Sequence, residues 1–314
     1  METGMIAGES NADYHGNGAV STSSMKDFIE SEYLFFRKHV ARDVERKETD
    51  AMRLGSAFHE FVLEPEEFKK NYAVLPPDIN LRTKAGKEQR DELAEGGRQI
   101  ITQAEADKMG LWRDSIHDNP LAKALFTNGV AELSWRTKWK NLTLQSRTDW
   151  FIESASAEQV ALLTADGVDI KEGQPIIVDL KTTQELAPWF RDNYGNQILQ
   201  FGYQLQYAFY LAVINKLRQK QGKEIVRHFY FVAVEKSAPN DCAVITIDER
   251  TFALAQTQLK HYLGKMSACF KSGKWRGYKD RGLMVSGISE NICQRKEEEM
   301  FEKQDCSQAW LTGE

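Results

Sequence analysis

The chain has 314 residues, 41% of them hydrophobic and 28% charged, with a formal net charge of -5 at pH 7. This is an ordinary globular composition, long enough for one large domain or two small ones. The mild acidity excludes a protein that coats nucleic acid with its whole surface, while leaving room for a local basic channel. No run approaches the roughly 18 apolar residues of a membrane span, and the opening METGMIAGESNADYHG has neither a basic nor an apolar targeting segment, so a cytoplasmic protein with no membrane partner is expected. Cys242, Cys269, Cys293 and Cys306 show neither a CxxC pair nor a zinc spacing and are expected to be reduced.

Residues 1–20 are polar and rich in Gly and Asn, which reads as a flexible arm. STSSMKDFIESEYLFFRKHV offers hydroxyl N-caps followed by apolar residues at helical spacing, predicting one helix or a broken pair. A second helix is predicted over AMRLGSAFHEFVLE, ending at Pro65, and residues 76–90 read as a loop that is basic at its end. EQRDELAEGGRQIITQAEADKMGLWRDSIHD reads as helix interrupted near its two glycines.

The period then changes. AELSWRTKWKNLTLQSRTDWFI predicts two strands joined at Lys140 and Asn141, followed by a polar insertion over residues 153–174 that reads as a surface excursion. PIIVDLKTT predicts an apolar strand with a charged tip, helix is expected from about Trp189 to Leu217, and IVRHFYFVAVEK and CAVITID predict two more strands before a final long helix. The order is helices, three strands, helix, two strands, helix: an α/β domain with a central mixed β-sheet flanked by helices. Residues 21–281 are assigned to this domain, and 282–314 to a charged tail.

The chemistry-bearing residues gather on PIIVDLKTT. Alternation along a strand puts Asp179 and Lys181 on one face, about 7 Å apart, so that a carboxylate could hold a metal while the ammonium reaches a phosphate beside it. The same tripeptide also fits a surface ion pair. Asp149, an acid inside the aromatic strand SRTDWF, is a candidate second carboxylate for a hard, oxygen-rich Mg²⁺ or Mn²⁺ site, or a partner of Arg147.

An acid followed by D-L-K on the next strand resembles the PD-(D/E)XK nuclease superfamily, with its restriction-endonuclease-like core. The surrounding stretches YHGNGAVSTSSMKDFIES, RLGSAFHEFVLEPEEF, AELSW, SRTDWF, VDLKTT and YQLQYAFY, spanning roughly residues 14 to 210, are similar in order to the exonuclease VIII (RecE) type, related to the RecB nuclease domain and lambda exonuclease. The resemblance implies that Lys181 is the catalytic lysine and that Asp149 and Asp179 are metal carboxylates. His59 becomes a metal ligand, Leu180 a backbone-carbonyl ligand and Glu132 a further acid near the metal. Gln206 and Tyr210 match a Q-x-x-x-Y element that supports the site, with Tyr203 one turn earlier. Arg147, Thr182, Gln206 and Tyr203 become candidate DNA contacts. It further implies Mg²⁺, replaceable by Mn²⁺, with two ions per site, and a 5′-to-3′ exonuclease acting on double-stranded DNA ends. Such an enzyme would leave 3′ single strands for a strand-annealing recombination protein, in a ring-shaped homo-oligomer and a phage or prophage setting. An endonuclease or single-strand exonuclease with the same metal site, and a catalytically silent DNA-binding module, are the competing readings. The insertion after Asp149 is longer than a tight turn between catalytic strands requires, and the cysteines do not match an iron-sulfur cluster, so none is expected.

Overall fold

The strand-forming stretches of the sequence build a six-stranded main sheet, and the stretches of helical period cover it. The computed structural model describes residues 3–44, 49–193 and 195–284. In chain order the elements are β1 (Gly4–Ile6), α1 (Asn11–Gly16), α2 (Thr22–Glu30), α3 (Glu32–Phe35), α4 (Asp50–Leu63), α5 (Pro65–Asn71), β2 (Tyr72–Leu75), α6 (Lys84–Leu93), β3 (Gln99–Thr102), α7 (Gln103–Asp118) and α8 (Pro120–Leu125). There follow β4 (Val130–Trp139), β5 (Leu142–Ile152), α9 (Ala157–Ala165), β6 (Ile176–Thr183), α10 (Gln197–Gln200), α11 (Tyr203–Lys220), β7 (His228–Glu235), β8 (Cys242–Ile245) and α12 (Glu249–Ser272). The main sheet has the order β1-β4-β5-β6-β7-β8; only β6 and β7 run parallel, and α11 makes the crossover between them. A parallel pair needs such a connection, and the 18 residues of α11 supply it.

Two apolar layers flank this sheet. Ile177, Phe229, Phe231 and Ala233 face α2, α11 and α12, whereas Ile176, Val178, Leu180, Tyr230 and Val232 face α4, α7 and α8. Burial on both faces explains why β6 and β7 read as continuous hydrophobic runs. Pro65, expected to end a helix, does so by opening the next one: α4 stops at Leu63 and the proline takes the first turn of α5.

Three readings change. The opening segment, expected to be a flexible arm, contributes β1, which pairs with β4, and α1, whose Tyr14 is buried; Val20 bridges to Leu144. Three residues of strand carry too little alternation to be seen in sequence. The stretch read as interrupted helix contains β3, which pairs with β2 in a separate two-stranded parallel sheet. The insertion after β5 carries α9, whose Leu163 joins the apolar layer under α4 and α7, while Gln159 Nε2 donates to the Ala124 carbonyl at 2.8 Å and to Asn128 Oδ1 at 2.9 Å. It covers the sheet instead of leaving it, so β5 and β6 stay paired.

Residues up to Trp275 form one compact unit. In the second unit, the described residues run from Arg276 to Met284 and include one helical turn, Tyr278–Asp280; most of the expected charged tail lies outside the described residues. Among the described residues no helix is long and apolar enough to cross a membrane.

Candidate metal centre

The site forms where two strands part. β5 and β6 pair through Trp150↔Val178, Phe151↔Ile177 and Ile152↔Ile176, and the ladder stops there, so Asp149 and Asp179 stand at the fork. The Leu180 amide, one residue past Asp179, donates to Asp149 Oδ2 at 2.8 Å. One acid thereby fixes the backbone carrying the other.

A second irregularity aims the acids. Residues two apart on a strand share a face, yet Ala131 packs in the layer under α4 and α7 while Leu133 packs in the layer under α11. On β5, Leu144 and Trp150 differ in the same way. Both strands change face near Glu132 and Asp149, which stand opposite each other between the pairs Ala131↔Trp150 and Leu133↔Thr148. Glu132 holds a left-handed φ of 47°, a conformation that costs a non-glycine residue about 1–3 kcal/mol and tends to persist where a site needs it.

His59 reaches the same point from the middle of α4, with Nδ1 3.4 Å from Asp149 Oδ2 and a hydrogen bond to the Leu180 backbone. One donor atom each from His59, Glu132 and Asp149 lies within 4.8 Å of the others, and all three residues are partly open. Asp179, wholly buried, is engaged beside them: Oδ1 pairs with the Lys181 ammonium and Oδ2 accepts from Gln206 Nε2. Gln206 also hydrogen-bonds Tyr210, so both residues of the Q-x-x-x-Y pair stand against β6. Glu132, Asp149, Gln206 and Tyr210 line a cavity of about 260 Å³, closed on its other side by residues that include Ser21, Thr22 and Lys26 of the α2 region. A larger cleft of about 880 Å³ between α11 and α12 is lined mainly by apolar groups such as Leu211, Phe252 and Leu259 and shares no residue with this cluster.

The charges are out of balance in the direction a cation would correct. Burial, and then Asp149, push the Glu132 carboxyl up to about 8; burial and Asp149 push Asp179 up to about 6; burial raises Asp149 as well. Burial opposes the Lys181 ammonium, but Asp179 and Asp149 outweigh it and raise its pKa above that of a free lysine. Burial and the Lys181 charge push His59 down to about 4, leaving a neutral imidazole whose nitrogen can act as a ligand. A nitrogen and several carboxylate oxygens, crowded until they hold protons, fit a hard divalent ion such as Mg²⁺ or Mn²⁺.

A pH dependence follows. Glu132 has its ordinary value of 4.5 when unfolded and about 8 in the fold, so ion-free protein binds more protons than the unfolded chain between those values. This contribution to stability therefore falls as pH rises from about 4.5 to 8; His59, lowered from 6.5 to about 4, works the other way below 6.5, so the fall is unopposed by it from about 6.5 to 8. Thermal melts with and without Mg²⁺ across that window should diverge, the stabilisation by the ion growing with pH because binding displaces protons.

The remaining sequence candidates divide. Tyr203 lies over Lys181, with the ammonium 5.5 Å from its ring centroid. Thr182 falls on the opposite face of β6 from Lys181 and is not brought to the cluster. Arg147 lines the cavity, but its guanidinium is occupied within the chain: Nε donates to Ser134 Oγ at 2.9 Å, Nη1 to Asn11 Oδ1 at 2.9 Å and Nη2 to the Glu9 carbonyl at 2.8 Å, over the Tyr14 ring at 4.2 Å. It locks the opening segment onto β5 in place of offering a free fork to phosphate. Arg147→Met should cost about 3 kcal/mol of stability in urea denaturation, since it strips a charge partner from the covered Glu9 side chain, whose other partner Arg136 remains.

Lys26 was not legible in sequence. It sits on the same Tyr203 ring, 5.5 Å from the centroid, and burial and the neighbouring Lys181 lower its pKa to about 8. A single lysine in an amphipathic helix carries no signal that it will meet a strand tip 155 residues later.

Against this geometry, the sequence matches the model of the family described as PDDEXK-like domain of unknown function (DUF3799) over residues 21–157 and 167–281. The chain belongs to that family. The break between the two matched stretches of the PDDEXK-like domain, residues 158–166, takes in nearly all of α9, and the match covers every other element from α2 to α12. Its fold is also similar to the crystal structure of a "Putative exonuclease" from Eubacterium rectale, with a TM-score of 0.58 at 17% identity, covering 91% of this chain and 97% of that one. No match to a protein of curated function was found.

Proposed function

We propose that this PDDEXK-like domain is a divalent-metal-dependent deoxyribonuclease. The observation that carries the reading is the fork of β5 and β6, where His59, Glu132 and Asp149 converge beside the buried Asp179–Lys181 pair. His59, Glu132, Asp149 and Asp179, with the Leu180 carbonyl, would hold the metal, which when bound supplies Lewis acidity toward a phosphodiester.

The chain's own groups do the rest. Lys181, cationic at any working pH, lies where it can neutralise charge that builds on the phosphate oxygens as the P–O bond breaks. Gln206 orients Asp179 and is itself held by Tyr210. Lys26, which lines the cavity from α2, adds a second cation.

The finer reading is a 5′-to-3′ exonuclease that acts on linear duplex ends and leaves 3′ single strands for an annealing protein. The ordered resemblance to exonuclease VIII supports it; the likeness to the Eubacterium rectale protein bears on the fold alone. Two Mg²⁺ ions per site and a ring-shaped homo-oligomer belong to the same reading. Linear DNA labelled at each end, set beside nicked-circular and closed-circular DNA, separates the possibilities. Linear DNA should be shortened from its 5′ ends and closed circles left intact; cutting of closed circles would overturn the exonuclease and leave the metal site standing.

A further inference from the structure

Beyond Lys181 the chain turns through Ala187–Phe190 and α10 before entering α11, and this turn is firmly held. The Leu186 amide donates to Glu235 Oε1 at 2.7 Å, Thr183 Oγ1 to Gln197 Oε1 at 2.9 Å, and Asn196 Nδ2 to the carbonyls of Trp189 at 3.0 Å and Arg191 at 2.7 Å. A segment fixed this well nevertheless leaves Phe190 65% and Phe201 51% exposed. Both rings lie outside the two apolar layers.

Phe201 is the open end of a stack. Its ring lies 5.7 Å from Tyr203 at 29°, and Tyr203 lies 5.0 Å from the buried Trp189 at 16°. The Lys181 and Lys26 ammoniums each sit 5.5 Å from the Tyr203 centroid. Gly202, at φ 65°, makes the turn that lets the rings on either side of it stack, and a Cβ there would come within 3.3 Å of Lys26 Cε. The ladder thus runs from the interior, past two cations at the metal centre, to an exposed aromatic ring.

We propose that Phe201 is a stacking platform for the nucleobase next to the phosphate held at Lys181, so that the strand being cut passes the site unpaired. The inference rests on the nuclease reading for the word "cut", but its binding chemistry is its own. Two lysines complement a phosphate, and the Phe201 ring lies 5.7 Å from the Tyr203 ring on which both ammoniums sit. Every base has a face that an aromatic ring can take regardless of sequence. Within a duplex both faces of every base but the terminal one are covered by neighbouring pairs, so an internal base reaches Phe201 only from a single strand or a frayed end.

The test is a binding measurement on the full chain, with Ca²⁺ to limit hydrolysis. Fluorescence anisotropy is read on single-stranded oligonucleotides in which one abasic nucleotide is moved along the strand. Wild type should lose about 10- to 100-fold in affinity at one abasic position. Phe201→Ala should lose as much on the intact strand and become indifferent to the abasic nucleotide there, and Phe201→Trp should restore both. If no abasic position couples to Phe201, or if Phe201→Ala alters only self-association in sedimentation, the platform is overturned. Failure of the nuclease reading has a different signature: no Mg²⁺-dependent cleavage, with the abasic coupling intact.

Discussion

Lys181→Met should lower DNA hydrolysis a hundred- to thousandfold, the range expected when one preorganised charge is removed from a developing oxyanion, while the protein still binds divalent ion. The effect depends on what Lys181 does in the resting fold. Its ammonium pairs with Asp179, a fully buried carboxylate, and takes no part in the His59, Glu132 and Asp149 donor set. Removing it leaves that set intact but strands a buried charge. Asp179 already has a raised pKa of about 6, so it responds by taking up a proton. The ion-free variant should therefore melt earlier at pH 8 than at pH 6, and Asp179→Asn/Lys181→Met should melt later than Lys181→Met alone. Calorimetric titration with Mn²⁺ checks ion binding; near-normal cleavage by Lys181→Met would remove the lysine from the chemistry.

Asp149→Asn should have the opposite signature on stability and an equally severe effect on activity. Asp149 raises the pKa of both Glu132 and Asp179, so in ion-free protein it is a source of repulsion. Asparagine keeps an oxygen that can accept from the Leu180 amide and loses the charge. Each unit by which the neighbouring carboxyls relax toward ordinary values is worth about 1.4 kcal/mol, so ion-free Asp149→Asn should melt later than wild type at pH 8. It should also lose the stabilisation by Mg²⁺ that wild type shows, and with it hydrolysis. A variant that is destabilised without ion, yet still responds to Mg²⁺, would mean that Asp149 is a structural acid.

The strand proposed to carry the chemistry was legible because its signal is local: PIIVDLKTT states its own alternation, and Asp179 and Lys181 share a face as that period requires. Gln206 and Tyr210, four apart on one helix, were legible for the same reason. What escaped depends on distant residues. The face change at Glu132 cannot be read from AELSW, because it arises from packing Ala131 and Leu133 into different layers. Arg147 looked like a phosphate ligand because its partners, Glu9, Asn11 and Ser134, come from a segment read as a flexible arm and from the neighbouring strand. The short parallel pair β2 and β3 is joined across 23 intervening residues that read as loop and helix, and nothing in either four-residue strand names its partner.

The central claim is that the fork of β5 and β6 is a metal-dependent phosphodiesterase centre. The most direct measurement is release of label from end-labelled linear DNA by wild type and Asp179→Asn, each with Mg²⁺ and with EDTA, after equal folding has been confirmed by circular dichroism. Release by wild type in Mg²⁺, and in none of the other three conditions, is the predicted result. Release that persists in EDTA or in Asp179→Asn would contradict the claim, as would its absence from wild type in both Mg²⁺ and Mn²⁺.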